Sequence, residues 1–172
     1  LQRAGVSGAE ADKAAALVAG ATTLDEVEPG TPVQIVLGKR SSKNTARPLE
    51  SLAFRARFDL NLSINRSGGG LSLARHAIAV DNTPLRIRGT VGNSLYRSAR
   101  AAGAPANIIQ DYLKVISDRA SLSSISASDE FDIIIDYKRA ETGEVKVGEL
   151  LYAGVDRGGK SAIQMLKWTK GD

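Results

Sequence analysis

One segment completes a motif for chemistry. Gly154-Val155-Asp156-Arg157-Gly158-Gly159-Lys160-Ser161 satisfies G-x-x-x-x-G-K-[ST], the phosphate-binding loop. That chemistry needs backbone N–H groups wrapped round phosphates, a helix N-terminus behind them and further strand–helix units carrying a metal-binding Asp. The residues after Ser161 are too few for the rest of such a sheet, and AIQMLKW alternates as a strand. The competing reading is a hairpin turn at Asp156–Lys160 between two strands. The turn fits the flanking pattern better, so no nucleotide is expected as a ligand.

Other reactive side chains are sparse. His76 is the only histidine and there is no cysteine, so neither a triad nor a His/Cys metal site can be assembled. Asp129, Glu130, Asp132 and Asp136 cluster, with Asp132 and Asp136 on the same face of a strand. Paired acids can perform acid–base chemistry or hold calcium. With Arg119, Lys138 and Arg139 nearby, a solvated, charge-balanced face is the expectation here. Gly68–Gly70 has no helix after it and reads as a flexible hairpin tip. Ser94 and Ser98 have no base within sequence reach and read as capping or surface residues.

The elements that must position these residues are mostly strands. Residues 1–21 read as a helix or helix pair broken at Gly5–Gly8, and Leu24, Val27 and Pro29-Gly30 lead into the strand Val33–Leu37. Gly38–Arg47 is polar and reads as a linker. In FDLNLSIN the apolar Phe58, Leu60, Leu62 and Ile64 alternate with polar residues, which buries one face. LSLARHAIAV and PLRIRGTV continue as strands, with Arg86 and Arg88 opposite Leu85 and Ile87. Phe131–Tyr137, Val145–Val155 and Ala162–Trp168 form a closing meander, turning at Glu141–Glu144.

Between the two β-rich stretches lies Gly89–Asp118, the one long segment with helical spacing. Leu95, Ala99 and Ala102 share one face, and Asn93 or Ser94 can cap that helix. Gly103 suits the left-handed residue past its end, and Pro105 suits the start of a second helix. The second helix carries Ile109, Leu113 and Ile116 on one stripe, widened by Ile108, Tyr112 and Val115. The order β-rich, αα, β-rich argues for an α+β fold, a sheet or open barrel packed against a two-helix corner and preceded by a small partial helix-strand module.

With 172 residues, mixed charge and ordinary apolar content, the chain is globular and holds one ordinary domain or two small ones. No apolar run approaches the roughly 20 residues of a membrane helix. No export signal is visible, and the start inside a helix-like segment suggests a mature form or an excised fragment. A net charge of +4 favours anionic surfaces, and the densest basic cluster is Lys39–Arg47. Aromatic residues are few and no RNA-binding aromatic motif occurs, so a basic nucleic-acid binder is the weakest alternative; steep salt dependence of DNA binding would mark it.

The run GTVGNSLYRSARAAGAPANIIQDYL resembles the non-catalytic region that precedes the peptidase domain in Gram-negative lysostaphin/LytM-type zinc endopeptidases of peptidoglycan. Gly89, Ser94, Leu95, Tyr96, Ala99, Gly103 and Pro105 carry that resemblance. Asp129, Phe131, Gly148, Leu150, Leu151, Ala153 and Gly159-Lys160 extend it through the closing meander. Leu24, Val27, Pro29-Gly30 and the following strand resemble the second half of a LysM-like or opacity-associated-protein-A-like module, whose first strand would lie before Leu1. The implied organisation is a partial module over 1–38, a linker loop over 39–48 and a β-αα-β domain over 49–172.

The resemblance implies a regulatory or targeting region in the periplasm or cell envelope. Such a region restrains its own or a separate zinc peptidase domain, or contacts peptidoglycan or a wall protein. The family's HxxxD and HxH zinc ligands are missing, since Val80 stands four residues after the single histidine. Zinc is therefore expected only in a catalytic domain absent from this sequence, with no cofactor and no catalysis in this chain. The alternative is a stand-alone periplasmic module that recruits or activates a separate hydrolase. Arg86, Arg88, Arg97 and Arg100, which bracket the corner, form the candidate interaction surface.

Overall fold

The computed structural model describes residues 1–167. Trp168, the expected end of the last strand, lies outside the described residues. Among them the fold is α+β, with three α-helices and antiparallel sheets of four and five strands. It comprises two compact units, Leu1–Val80 with Ala140–Thr142 and Asp81–Arg139 with Gly143–Asp172.

In the first unit, Gly5 closes an initial turn at a φ of 100°, which a residue with a Cβ adopts only under strain. Ser7 caps helix α1 (Gly8–Ala19), its Oγ accepting the Glu10 N–H at 3.3 Å. Strands β1 (Val33–Leu37), β2 (Leu49–Arg57), β3 (Leu60–Ser67) and β4 (Gly70–Ala77) pair in sequence order. The alternation in β3 buries Leu60, Leu62 and Ile64. Ile64 packs with Leu49 and Leu52 of β2, with Ala14 of α1 and with Val6 just before that helix. Glu10 ties the helix to this sheet by accepting the Leu49 N–H at 2.9 Å and pairing with Arg66.

These contacts place the division elsewhere than at residues 39–48. That segment joins neighbouring strands of one sheet, since Val33 to Val36 pair with Phe54 to Ser51. Its ends are clasped: the Gly38 N–H donates to the Pro48 carbonyl at 2.8 Å, and the Arg47 guanidinium donates to the Leu37 and Gly38 carbonyls, both at 3.0 Å. The expected partial module and the strands of 49–77 thus share one core, and the β-αα-β segment expected over 49–172 divides after Val80. Alternation along a strand reports which face is buried, not against which element, so the sequence pattern is the same either way.

The second sheet contains β5 (Val80–Asp81), β6 (Leu85–Thr90), β7 (Glu130–Ala140), β8 (Val145–Arg157) and β9 (Lys160–Leu166). Its order is β5-β7-β8-β9, with β6 also paired to β7. The helical corner forms as its spacing predicts, as α2 (Leu95–Ala101) and α3 (Ala106–Ser117). Ser94 caps α2 through the Arg97 N–H, Gly103 turns the chain at a φ of 97°, and Pro105 stands at the N-cap position of α3, one residue before the helix, with no capping hydrogen bond of its own. Ile108, Ile109, Tyr112 and Ile116 pack with Ala99 against Ile87, Phe131, Ile133, Ile135, Ala153 and Val155.

Candidate functional site

The candidate arginines occupy two different surfaces of the second unit. Arg86 and Arg88 lie on β6, opposite the core-facing Ile87, and their strand neighbour is β7. Arg86 grips Asp132 with both arms of its guanidinium, Nε to Oδ1 at 2.8 Å and Nη2 to Oδ2. Arg88 reaches Asp156 on β8 at 2.7 Å, Glu130 at 3.6 Å and Asp132 at 3.7 Å. The Asp132 carboxylate raises the Arg86 pKa further above its already high value, so the charge is permanent.

This network corrects the expected solvated acidic face. Asp132 and Asp129 are buried, at 2% and 1% exposure. Taking a carboxylate out of water is costly unless a cation and hydrogen bonds replace its hydration. Asp132 obtains them from Arg86 and Arg88. Asp129 obtains them from Arg157, whose Nε and Nη2 lie 3.0 and 2.7 Å from its two oxygens, and from the Ser126 N–H at 2.9 Å. The Arg157 hydrogen bonds, followed by that N–H, hold the Asp129 carboxyl below the usual aspartate range.

The same contacts decide the Gly154–Ser161 segment. Gly158 and Gly159 have φ values of 56° and 75° and form a tight turn between β8 and β9. A strand, and no helix N-terminus, follows the lysine and serine. Arg157 is committed to Asp129, and Ser161 donates to Asp156 at 2.9 Å. The side chains of the motif build a hairpin.

Arg97 and Arg100 stand exposed on α2, beside Tyr96, which is 41% exposed. Arg100 also donates to the Ala104 carbonyl at 2.8 Å and so braces the turn between the helices. Ser98, expected only to cap or to face water, donates to the Val91 carbonyl at 2.9 Å and pins α2 to the end of β6. Gly89 lies beneath the buried Phe131 ring, and a Cβ there would come within 2.7 Å of it. Tyr112 crosses the core to donate its hydroxyl to the Gly154 carbonyl at 2.7 Å. Burial, with the Asp132 charge second, raises the Tyr112 pKa and keeps that proton in place.

In the first unit, His76 and Ser63 are hydrogen bonded at 2.9 Å on the outer face of β3 and β4. They line a shallow groove of about 440 Å³ with Gln34, Arg55 and Asn61. A second groove, of about 420 Å³, lies between α3 and the β8–β9 edge in the second unit. Among the described residues no three His, Cys, Asp or Glu side chains come together as a metal site. Nor is any described helix long and apolar enough to cross a membrane.

No family model and no curated protein matches this chain. Solved structures do. A zinc-containing peptidase from Vibrio cholerae matches at 19% identity with a TM-score of 0.52, covering 93% of this chain and 48% of that one. Csd3 from Helicobacter pylori matches at 15% identity and a TM-score of 0.47 over 79% of this chain and 36% of its own. This chain therefore spans about half the length of the Vibrio cholerae structure. At this identity the likeness is one of fold alone.

Proposed function

We propose that this chain is a non-catalytic regulatory or targeting region of a peptidoglycan metalloendopeptidase in the cell envelope. In this role it restrains a zinc domain or contacts the wall or a wall-bound protein. One observation carries the reading: 93% of the chain follows the fold of part of a zinc-containing peptidase. The sequence resemblance through Gly89, Ser94–Tyr96, Gly103 and Pro105 points the same way, since those residues build the corner on which the second unit's core is assembled. Zinc belongs to the peptidase domain that this region serves. Arg97 and Arg100 are the side chains to test first, because Arg86 and Arg88 are held by carboxylates within their own sheet.

The test is a binding assay with purified peptidoglycan and, separately, with the cognate zinc domain. Capture by either supports the role, and Arg97→Glu with Arg100→Glu should weaken it. Failure to bind both overturns it. A sequence continuing past Asp172 with HxxxD and then HxH would identify the parent enzyme.

A further inference from the structure

The loop from Lys39 to Ala46, between β1 and β2, is exposed along its whole length. It carries Lys39, Arg40 and Lys43, and no Asp or Glu occurs between Glu28 and Glu50. None of these three side chains has a hydrogen bond or ion pair among the described residues. Glu50, the first acid after the loop, lies instead against Gly38, where a Cβ would come within 2.6 Å of its Oε1, and faces Arg66 at 3.9 Å.

The loop holds its own shape while leaving those charges free. The Thr45 hydroxyl accepts the Ser42 N–H at 2.9 Å and the Ser41 hydroxyl at 3.2 Å. The Arg47 N–H donates to the Gly5 carbonyl at 2.9 Å, and the Arg40 guanidinium lies near Gly5. The hydroxyls turn toward one another, which leaves no ring of donors for a single small anion. No aromatic or large apolar side chain occurs from Lys39 to Ala46, so the loop has nothing to stack on bases or to insert among acyl chains. Nor do the arginines that follow extend it into a stripe for a long polyanion: Arg47, Arg55, Arg57, Arg66 and Arg75 each donate to a carbonyl or carboxylate of their own unit. A projecting set of bare cations matches a plane of negative headgroups, where each Lys or Arg near the surface raises affinity about fivefold.

We propose that the Lys39–Lys43 loop docks the first unit on an anionic phospholipid surface, by charge alone and without insertion. The attraction acts within a Debye length of the headgroups, so it is reversible and weakens with salt. It requires no zinc domain and no wall polymer, and it stands whether or not the proposed role does.

Co-sedimentation of the 172-residue chain with vesicles tests this. Vesicles of mixed phosphatidylglycerol and phosphatidylcholine should bind it at low salt and release it at high salt, and vesicles of phosphatidylcholine alone should not bind it. Lys39→Gln with Arg40→Gln and Lys43→Gln should lower the partition coefficient on the order of a hundredfold. These side chains are exposed and unpaired and Arg47 is retained, so circular dichroism should show the fold intact. A control that removes as many charges from the second unit, Arg97→Gln with Arg119→Gln and Lys160→Gln, should lower it by much less. Equal binding to neutral vesicles, a loop variant that binds as well as the parent, or a control that loses as much overturns the proposal. So does tighter binding to duplex DNA than to the anionic vesicles at equal phosphate concentration.

Discussion

The two sheets of this molecule treat their exposed surfaces in opposite ways. In the second unit, β6, β7 and β8 present a face of charged residues, yet nearly every charge is answered on that face: Asp132 by Arg86 and Arg88, Asp156 by Arg88 and Ser161, Asp129 by Arg157. In the first unit, β1 carries no charge and leaves Val33, Ile35 and Val36 open to water. A surface that satisfies its own charges is built to stay as it is, because moving any member strands a buried carboxylate. Apolar side chains left open to water have free energy still to gain from contact. Of the four candidate arginines, Arg86 and Arg88 are therefore already engaged within their own sheet.

The contrast can be broken by substitution. The largest effect is expected for Phe131→Ala, which removes a fully buried ring from the second unit's core and should lower stability by about 3–5 kcal/mol in urea titrations. A loss comparable to a surface change would mean that the sheet does not depend on this core. Next comes Arg86→Met, which leaves Asp132 buried with only the more distant Arg88. It should destabilise more than Asp132→Asn, which leaves an arginine already half in water; the reverse order would show that the carboxylate is not truly buried. Gly89→Ala pushes a methyl into the Phe131 ring and should cost about 1–3 kcal/mol, read as a lower midpoint at unchanged slope.

The acid response sharpens the same comparison. The Asp129 carboxyl sits below its ordinary value in the folded chain, so its contribution is complete above the unfolded-state pKa of about 3.9 and is lost as pH falls through the lower folded value. Stability should accordingly drop below about pH 4, and Asp129→Asn should flatten that part of the curve. An unchanged slope would deny the Arg157 pairing its role. The smallest effect belongs to the other region: Val36→Ser should shift the urea midpoint by no more than about 0.5 kcal/mol. A larger loss would mean that β1 is packed within its own fold.

How far these features were legible differs from residue to residue. The corner was readable because its signals are local: Ser94, Gly103 and Pro105 act within a few residues of where they stand, and the apolar spacing of α3 repeats over three turns. The hairpin at Gly158-Gly159 was readable for the same reason. The buried acids were not, because the partners are remote: Asp132 meets an arginine 46 residues away and Asp129 one 28 residues away. In a strand pattern a carboxylate facing away from the apolar side looks wet whether or not a guanidinium lies over it. The division after Val80 was hidden too, since strands on either side of it alternate alike while their cores are separate.

Arg47 carries a practical consequence. Its guanidinium fastens the main chain at Leu37 and Gly38, so the ends of the loop stay together whatever lies between them. Register in the β1–β2 hairpin is then independent of the length of the insert, and lengthening a flexible loop twofold costs only about 0.6 kcal/mol. Residues 40–45 are accordingly the place to graft an epitope, a fluorophore-bearing peptide or new chain termini, provided that Arg47 is kept.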